Sequence, residues 1–188
     1  MRARRCPKAR PVTVMCPVEP DMLQALKAKL RRLPRGTDES PLRKTGRTHF
    51  GRWVVMEHLC DEDGDPSSDE LTVPYLLFTA NIDGDEASYL SVLVERSQDD
   101  MHEIWSHCIG YHYVGDDAGL VAYLLANRLP TQLFFAPYPT ATVQKVASAV
   151  NLRREFIDFA VRSDGIAAAD LRQNFFDWYR RQPGGVTC

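Results

Sequence analysis

Thr48-His-Phe-Gly-Arg-Trp-Val-Val-Met56 and Pro74-Tyr-Leu-Leu-Phe-Thr-Ala-Asn-Ile-Asp-Gly-Asp85 are the stretches whose reading decides the fold. Successive side chains of a strand point to opposite faces. In the first stretch Phe50, Arg52, Val54 and Met56 therefore share one face, and His49, Gly51, Trp53 and Val55 share the other. Residues 74–80 are apolar on both faces. Residues 61–70 between the stretches carry six acids and no base, which reads as a solvated hairpin loop. Its Gly64 and flanking strands do not fit a calcium loop between helices. The two stretches are thus an antiparallel hairpin at the centre of an α+β domain. The start of one strand lies near the end of the other, bringing His49 close to Asn81 and Asp83.

Outward from the hairpin, residues 12–18 read as a first strand. Residues 21–33 follow with a helical stripe of Met22, Leu23, Leu26, Leu30 and Leu33, ended by Pro34 and Gly36. After the hairpin, helices are expected over about 86–96, 99–109 and 117–127, with Asp83 or Asp85 available to cap the first. Residues 131–138, Thr-Gln-Leu-Phe-Phe-Ala-Pro-Tyr, read as a fourth strand. A helix over 141–162 is expected to bury Val143, Val146, Val150, Phe156 and Phe159. A last helix over 166–180 carries Leu171, Phe175, Phe176 and Trp178.

The fold class expected is α+β: a ferredoxin-like βαββαβ antiparallel sheet with extra helices in the second crossover and at the C-terminus. Residues 1–10 read as a disordered basic tail and 11–162 as the ferredoxin-like domain. Residues 163–182 form a C-terminal helix packed on it, and 183–188 a tail. Such a sheet leaves one face open. Large apolar residues on both faces of the strands predict that something covers it: a second copy, as a homodimer, with the C-terminal helices as the rival cover.

Composition narrows the function classes. The chain has 188 residues, 44% of them hydrophobic and 26% charged, with a net charge of −2, ordinary values for a globular domain. That charge gives no electrostatic footprint for nucleic acid. No apolar run approaches the ~18 residues of a membrane span, and no signal peptide is evident. Five widely spaced cysteines without a C-x-x-C pair argue against a disulfide framework and for the cytoplasm.

Polar residues at the strand ends mark the candidate site. His49 and Asp83 are the candidate catalytic residues, in general acid or base roles. Arg52, Trp53, Asn81 and Tyr138 are the candidate ligand-binding residues, and the Arg52 fork suits a carboxylate or phosphate. Each has a plainer reading: Arg52 paired with Asp83 or Glu57, His49 as a hydrogen-bonded structural imidazole, Asn81-Ile-Asp-Gly84 as a turn and helix cap. His107, Cys108 and His112 would seed a zinc site only if helical, and Gly110 weakens that helix. No metal site is assigned, and no cofactor is identified.

The blocks T-H-F-G-R-W-V-V, L-L-F-T-A-N-I-D-G-D, I-W-S-H-C-I-G-Y and F-F-A-P-Y-P resemble those of a group of bacterial ferredoxin-like proteins with H-F-x-R-[FW] and N-x-D-G strand motifs. The resemblance covers about residues 10–160 and implies a fold, not a reaction. More distantly the chain is similar to the dimeric α/β-barrel superfamily, which includes haem-binding peroxidases and monooxygenases. The dye-decolourising peroxidases there carry G-x-x-D-G; Ala80 stands where that motif has its first glycine. The functional expectation is a small-molecule-binding protein, with or without catalysis on an anionic or aromatic ligand. The alternatives are a non-catalytic protein-interaction module and a haem-dependent redox enzyme.

Overall fold

The computed structural model describes residues 8–36, 38–58 and 70–182. Strand β1 (Ala9–Pro17) leads through a 3-10 turn at Pro20–Met22 into helix α1 (Leu23–Arg32) and the single turn α2 (Pro41–Lys44). The hairpin follows as β2 (Thr48–His58) and β3 (Glu70–Asp83). Helices α3 (Glu86–Arg96), α4 (Gln98–Trp105), α5 (Asp117–Ala126), α6 (Val143–Arg162) and α7 (Ala168–Arg181) complete the described chain. The acidic loop and the chain termini foreseen as tails lie largely outside the described residues, although β1 already begins at Ala9.

Among the described residues the sheet has three antiparallel strands in the order β1-β3-β2. Val12, Val14 and Cys16 of β1 and Leu76, Phe78, Ala80 and Ile82 of β3 form one buried face. Leu26 of α1, Tyr89, Leu90, Leu93 and Val94 of α3, Met101, Ile104 and Trp105 of α4, and Leu120 and Leu124 of α5 complete this core. Trp53 packs on Phe78 from the edge strand, ring centroids 5.1 Å apart. Gly51 sits opposite Ala80; a Cβ there would come within 2.8 Å of Leu42 Cδ1, so the glycine lets α2 lie close against β2. The other face presents Met15, Leu77, Thr79, Asn81, Phe50, Arg52 and Val54, and Phe50 is 75% exposed.

Helix starts follow local polar chemistry. Asp85, rather than Asp83, caps α3 by accepting from Ser88 N–H at 2.9 Å. Asp116 caps α5 through Gly119 N–H at 2.7 Å. Such caps satisfy backbone donors that the first helical turn leaves free. Gly84 takes φ +87° between β3 and α3, a conformation that glycine adopts without Cβ strain.

Three expectations need correction. The fourth strand expected at 131–138 does not join the sheet. Met15 N–H donates to Asn127 O and Leu129 N–H to Thr13 O, so the chain does start along the outer edge of β1. It then leaves, and returns only where Ala9 N–H donates to Pro139 O at 2.7 Å. The next residue on that edge of β1 is Pro11, which has no N–H to give, and Pro130 opens the departing segment. Proline stops a ladder at such positions. Second, α4 ends at Trp105, and Cys108 instead forms a lone antiparallel bridge with Val18. Third, α6 buries none of its residues, nor does α7. Phe156 and Phe159 meet Phe175 and Trp178 of α7, at centroid distances of 5.4–6.1 Å, so the two helices pack as a hairpin of their own.

Candidate functional site

The end of β3 is where the polar residues converge. Thr48 pairs with Ile82, but Phe50 pairs with Asn81, so His49 is one residue too many for the ladder. A bulge of this kind re-aims the inserted side chain. His49 Nε2 lies 2.9 Å from Asp83 Oδ1. The second carboxylate oxygen of Asp83 accepts from Val143 N–H, in the first turn of α6, at 2.8 Å. The Asp83 main chain is held as firmly: its N–H donates to Arg47 O, and its carbonyl accepts from Arg47 Nε at 2.8 Å and Nη2 at 2.6 Å. Asp83 is 5% exposed. A buried carboxylate must have its lone pairs occupied, and here both oxygens are spoken for within the chain. The knot ties β2, β3 and α6 together.

Of the other expected site residues, Asn81 and Arg52 share the uncovered face of the sheet. Arg52 Nε donates to Thr79 Oγ1 at 3.2 Å across the strand pair. Neither anticipated carboxylate reaches it: Asp83 serves His49, and Glu57 pairs with Lys27. Trp53 points to the opposite, helix-covered face, with a buried indole N–H that finds no acceptor among the described residues. Tyr138 stands in the departing segment, 77% exposed. The geometry therefore joins His49 to Asp83 and sets Arg52 near Asn81, while Trp53 and Tyr138 lie apart.

Arg47 is the residue that sequence reasoning missed. Besides clasping the Asp83 carbonyl it donates to Ser88 Oγ at 3.0 Å. A basic residue one step before a strand carries no signal of its own; only the meeting of β2 and β3 reveals the role.

The histidine- and cysteine-bearing segment divides into two separate arrangements. His102 bridges Tyr111 Oη at 2.6 Å and Asp117 Oδ1 at 2.8 Å, tying α4 to α5. Hydrogen bonds from His102 and then Gln98 hold the Asp117 carboxyl below its ordinary range. Cys16 and Cys108 are buried and unbridged. The nearness of the two thiols lowers Cys16 and, with burial, pushes Cys108 well up. Cys108 and His112 share no helix face, because the helix has ended. Among the described residues no group of three metal-ligating side chains occurs. Of the residues weighed as metal or haem ligands, His49 is engaged by Asp83, His107 is buried with Nδ1 facing Ile104 O, and Cys108 is buried.

Apolar surface gathers elsewhere. A cleft of about 570 Å³ opens between α6 and α7, lined by Phe156, Phe159, Leu171 and Phe175 with Asp164 and Arg172. In the departing segment Leu133 is 87% and Phe135 81% exposed. No helix among the described residues is long and apolar enough to cross a membrane.

Comparison with known proteins finds no matching family model, no matching curated protein and no matching solved structure.

Proposed function

We propose that this chain is a protein-interaction module that works as a homodimer. The observation carrying the reading is the state of the last third of the chain. It is rich in large apolar side chains, yet α6 and α7 bury none of their residues and the segment before them turns Leu133, Phe135 and Tyr138 outward. Contiguous exposed apolar surface of this kind marks docking sites. The polar strand ends support the same reading from the other side, since His49, Asp83 and Arg47 spend their hydrogen bonds on one another and on α6. The ferredoxin-like plan belongs to the proposal, supported by the strand order β1-β3-β2 and the chain's return to the outer edge of β1 at Arg128. So does a cytoplasmic location, supported by the unbridged pair Cys16 and Cys108.

Amide hydrogen exchange over a wide concentration series tests it. Residues 131–182 gain protection as concentration rises, while β1, β2 and β3 keep theirs. Exchange in 131–182 that is independent of concentration contradicts the reading.

A second reading rests on Arg52. Its guanidinium lies on the uncovered sheet face beside Asn81, with a neutral hydroxyl as its partner, which leaves donors for a carboxylate or phosphate ligand. Titration with benzoate, followed by amide NMR shifts, tests this. Shifts centred on residues 50–54 and 79–81 that vanish in Arg52→Ala support an anion site, and shifts unchanged in that variant remove it.

A further inference from the structure

We infer that Asp117, His102 and Tyr111 form a catalytic relay, with Tyr111 Oη as a nucleophile that takes acyl groups from activated esters and thioesters. The three groups stand in the order that such chemistry needs: carboxylate, imidazole, hydroxyl. His102 Nε2 lies 2.8 Å from Asp117 Oδ1, and His102 Nδ1 lies 2.6 Å from Tyr111 Oη. The assignment goes beyond docking and does not depend on the homodimer.

Three elements deliver these side chains. His102 comes from α4 and Asp117 from the first turn of α5. Between them the chain turns at Gly110, with φ +86°, into a 3-10 turn at Tyr111–Tyr113. Tyr123 Oη donates to Ile109 O at 2.8 Å and pins that turn to α5. The rings of His102 and Tyr111 meet edge-on at 77°, centroids 6.1 Å apart. Gln98 Nε2 donates to the same Asp117 oxygen at 2.9 Å and so fixes the carboxylate. His49 makes the contrast: it meets the carboxylate of Asp83, but no hydroxyl stands at its other nitrogen among the described residues.

Proton bookkeeping sets the roles. The hydrogen bonds from His102 and Gln98 hold Asp117 below its ordinary range, so it is ionised and only accepts. His102 Nε2 must then carry a proton, and Nδ1 presents its lone pair to the Tyr111 hydroxyl. Burial holds the Tyr111 phenol above its ordinary value, so at neutral pH its oxygen needs a base beside it to react. As Tyr111 Oη bonds to the acyl carbon, its proton passes to His102 Nδ1, and Asp117 positions and stabilises the imidazolium. The bond from the acyl carbon to the leaving oxygen or sulfur breaks. The leaving group keeps that electron pair and takes the proton from Nδ1. Water then attacks the acyl-tyrosine, giving its proton to Nδ1, and the departing phenolate takes it back. The substrate class follows from the nucleophile. A phenol has a pKa of about 10, so acyl groups move onto Tyr111 from leaving groups of similar or lower basicity, phenols and thiols, and not from simple alcohols. Tyr111 and His102 are both partly exposed. Tyr111 Oη has no second hydrogen-bond partner among the described residues, so a substrate has access to it.

The test is incubation of the full chain with p-nitrophenyl acetate. Absorbance follows p-nitrophenol release, and peptide mass spectrometry locates the acetylated tyrosines. Tyr113, Tyr138 and Tyr179 are 85%, 77% and 63% exposed and serve as controls within one molecule: by accessibility alone they react before Tyr111. The relay instead puts the acetyl group on Tyr111 first. Tyr111→Phe abolishes the fast release, and His102→Ala slows acetylation of Tyr111 by about tenfold or more. Asp117→Asn keeps an oxygen for His102 and Gln98 to bond but removes the charge opposite the imidazolium. A mere tether survives that change, while the relay slows about fivefold. Circular dichroism checks that each variant is folded. Tyr111 acetylated no faster than Tyr113 in the wild-type chain overturns the relay, whatever the variants do. So does a folded His102→Ala or Asp117→Asn protein with unchanged acetylation of Tyr111. Either result leaves the docking reading as it stands.

Discussion

Asp83 is tied into the fold through both its carboxylate and its main chain. Its carboxylate accepts from His49 and from Val143 N–H, and it is nearly buried. Removing a buried acceptor strands its donors at a cost of about 1–3 kcal/mol each. Asp83→Ala therefore lowers stability by about 3 kcal/mol, or roughly 10 °C in melting temperature for a chain of this size; thermal unfolding followed by circular dichroism checks it. His49→Ala removes one bond of the same knot and costs less. Tyr89 makes a second prediction. Burial pushes its phenol from 10.0 to about 12, only partly offset by the bond with Thr48. A proton held more tightly in the folded state stabilises the protein below the unfolded value, and that contribution is lost as pH rises through the folded one. Alkaline titration should show stability falling between pH 10.0 and about 12, and Tyr89→Phe flattens that limb. At the acid end the sign reverses. Asp117, held low by His102, adds stability above the ordinary carboxylate range that is lost as pH falls through its folded value. Asp117→Asn removes this dependence.

At the scale of elements, the hairpin was legible because alternation in β2 and the apolar run of β3 are local signals, and α3 announced itself through Asp85. Even there the bulge at His49 was invisible. Strict alternation sets His49 on the Trp53 face, and only the register between Thr48 and Phe50 turns it toward Asp83. The fourth strand was misread for a non-local reason. Its own residues favour a strand, but the edge it would extend carries Pro11, near the other end of the chain, with no N–H to offer. The inward face assigned to α6 failed differently, since periodicity shows which side chains share a face and not whether anything lies against it. What does lie against α6 is α7, through the rings of Phe156, Phe159, Phe175 and Trp178. Phe159→Ala removes one ring of that half-exposed cluster at a cost of about 1–2 kcal/mol. Its amide exchange signature is faster exchange in α7 and unchanged exchange in the sheet.

For the whole molecule, the chain divides its apolar residues between two tasks. The sheet and α1, α3, α4 and α5 build a closed core on one face of three strands. Residues 131–138 and the α6–α7 hairpin carry apolar surface that this core does not use, tethered to it by Ala9 at Pro139 and Asp83 at Val143. A core that holds its polar groups satisfied and an annex that leaves its apolar groups exposed suit a module that acts by association. Sedimentation equilibrium of the unmodified full chain tests that claim most directly. The account predicts a species of twice 21.3 kDa that dissociates reversibly on dilution. A single species of 21.3 kDa at all concentrations contradicts it.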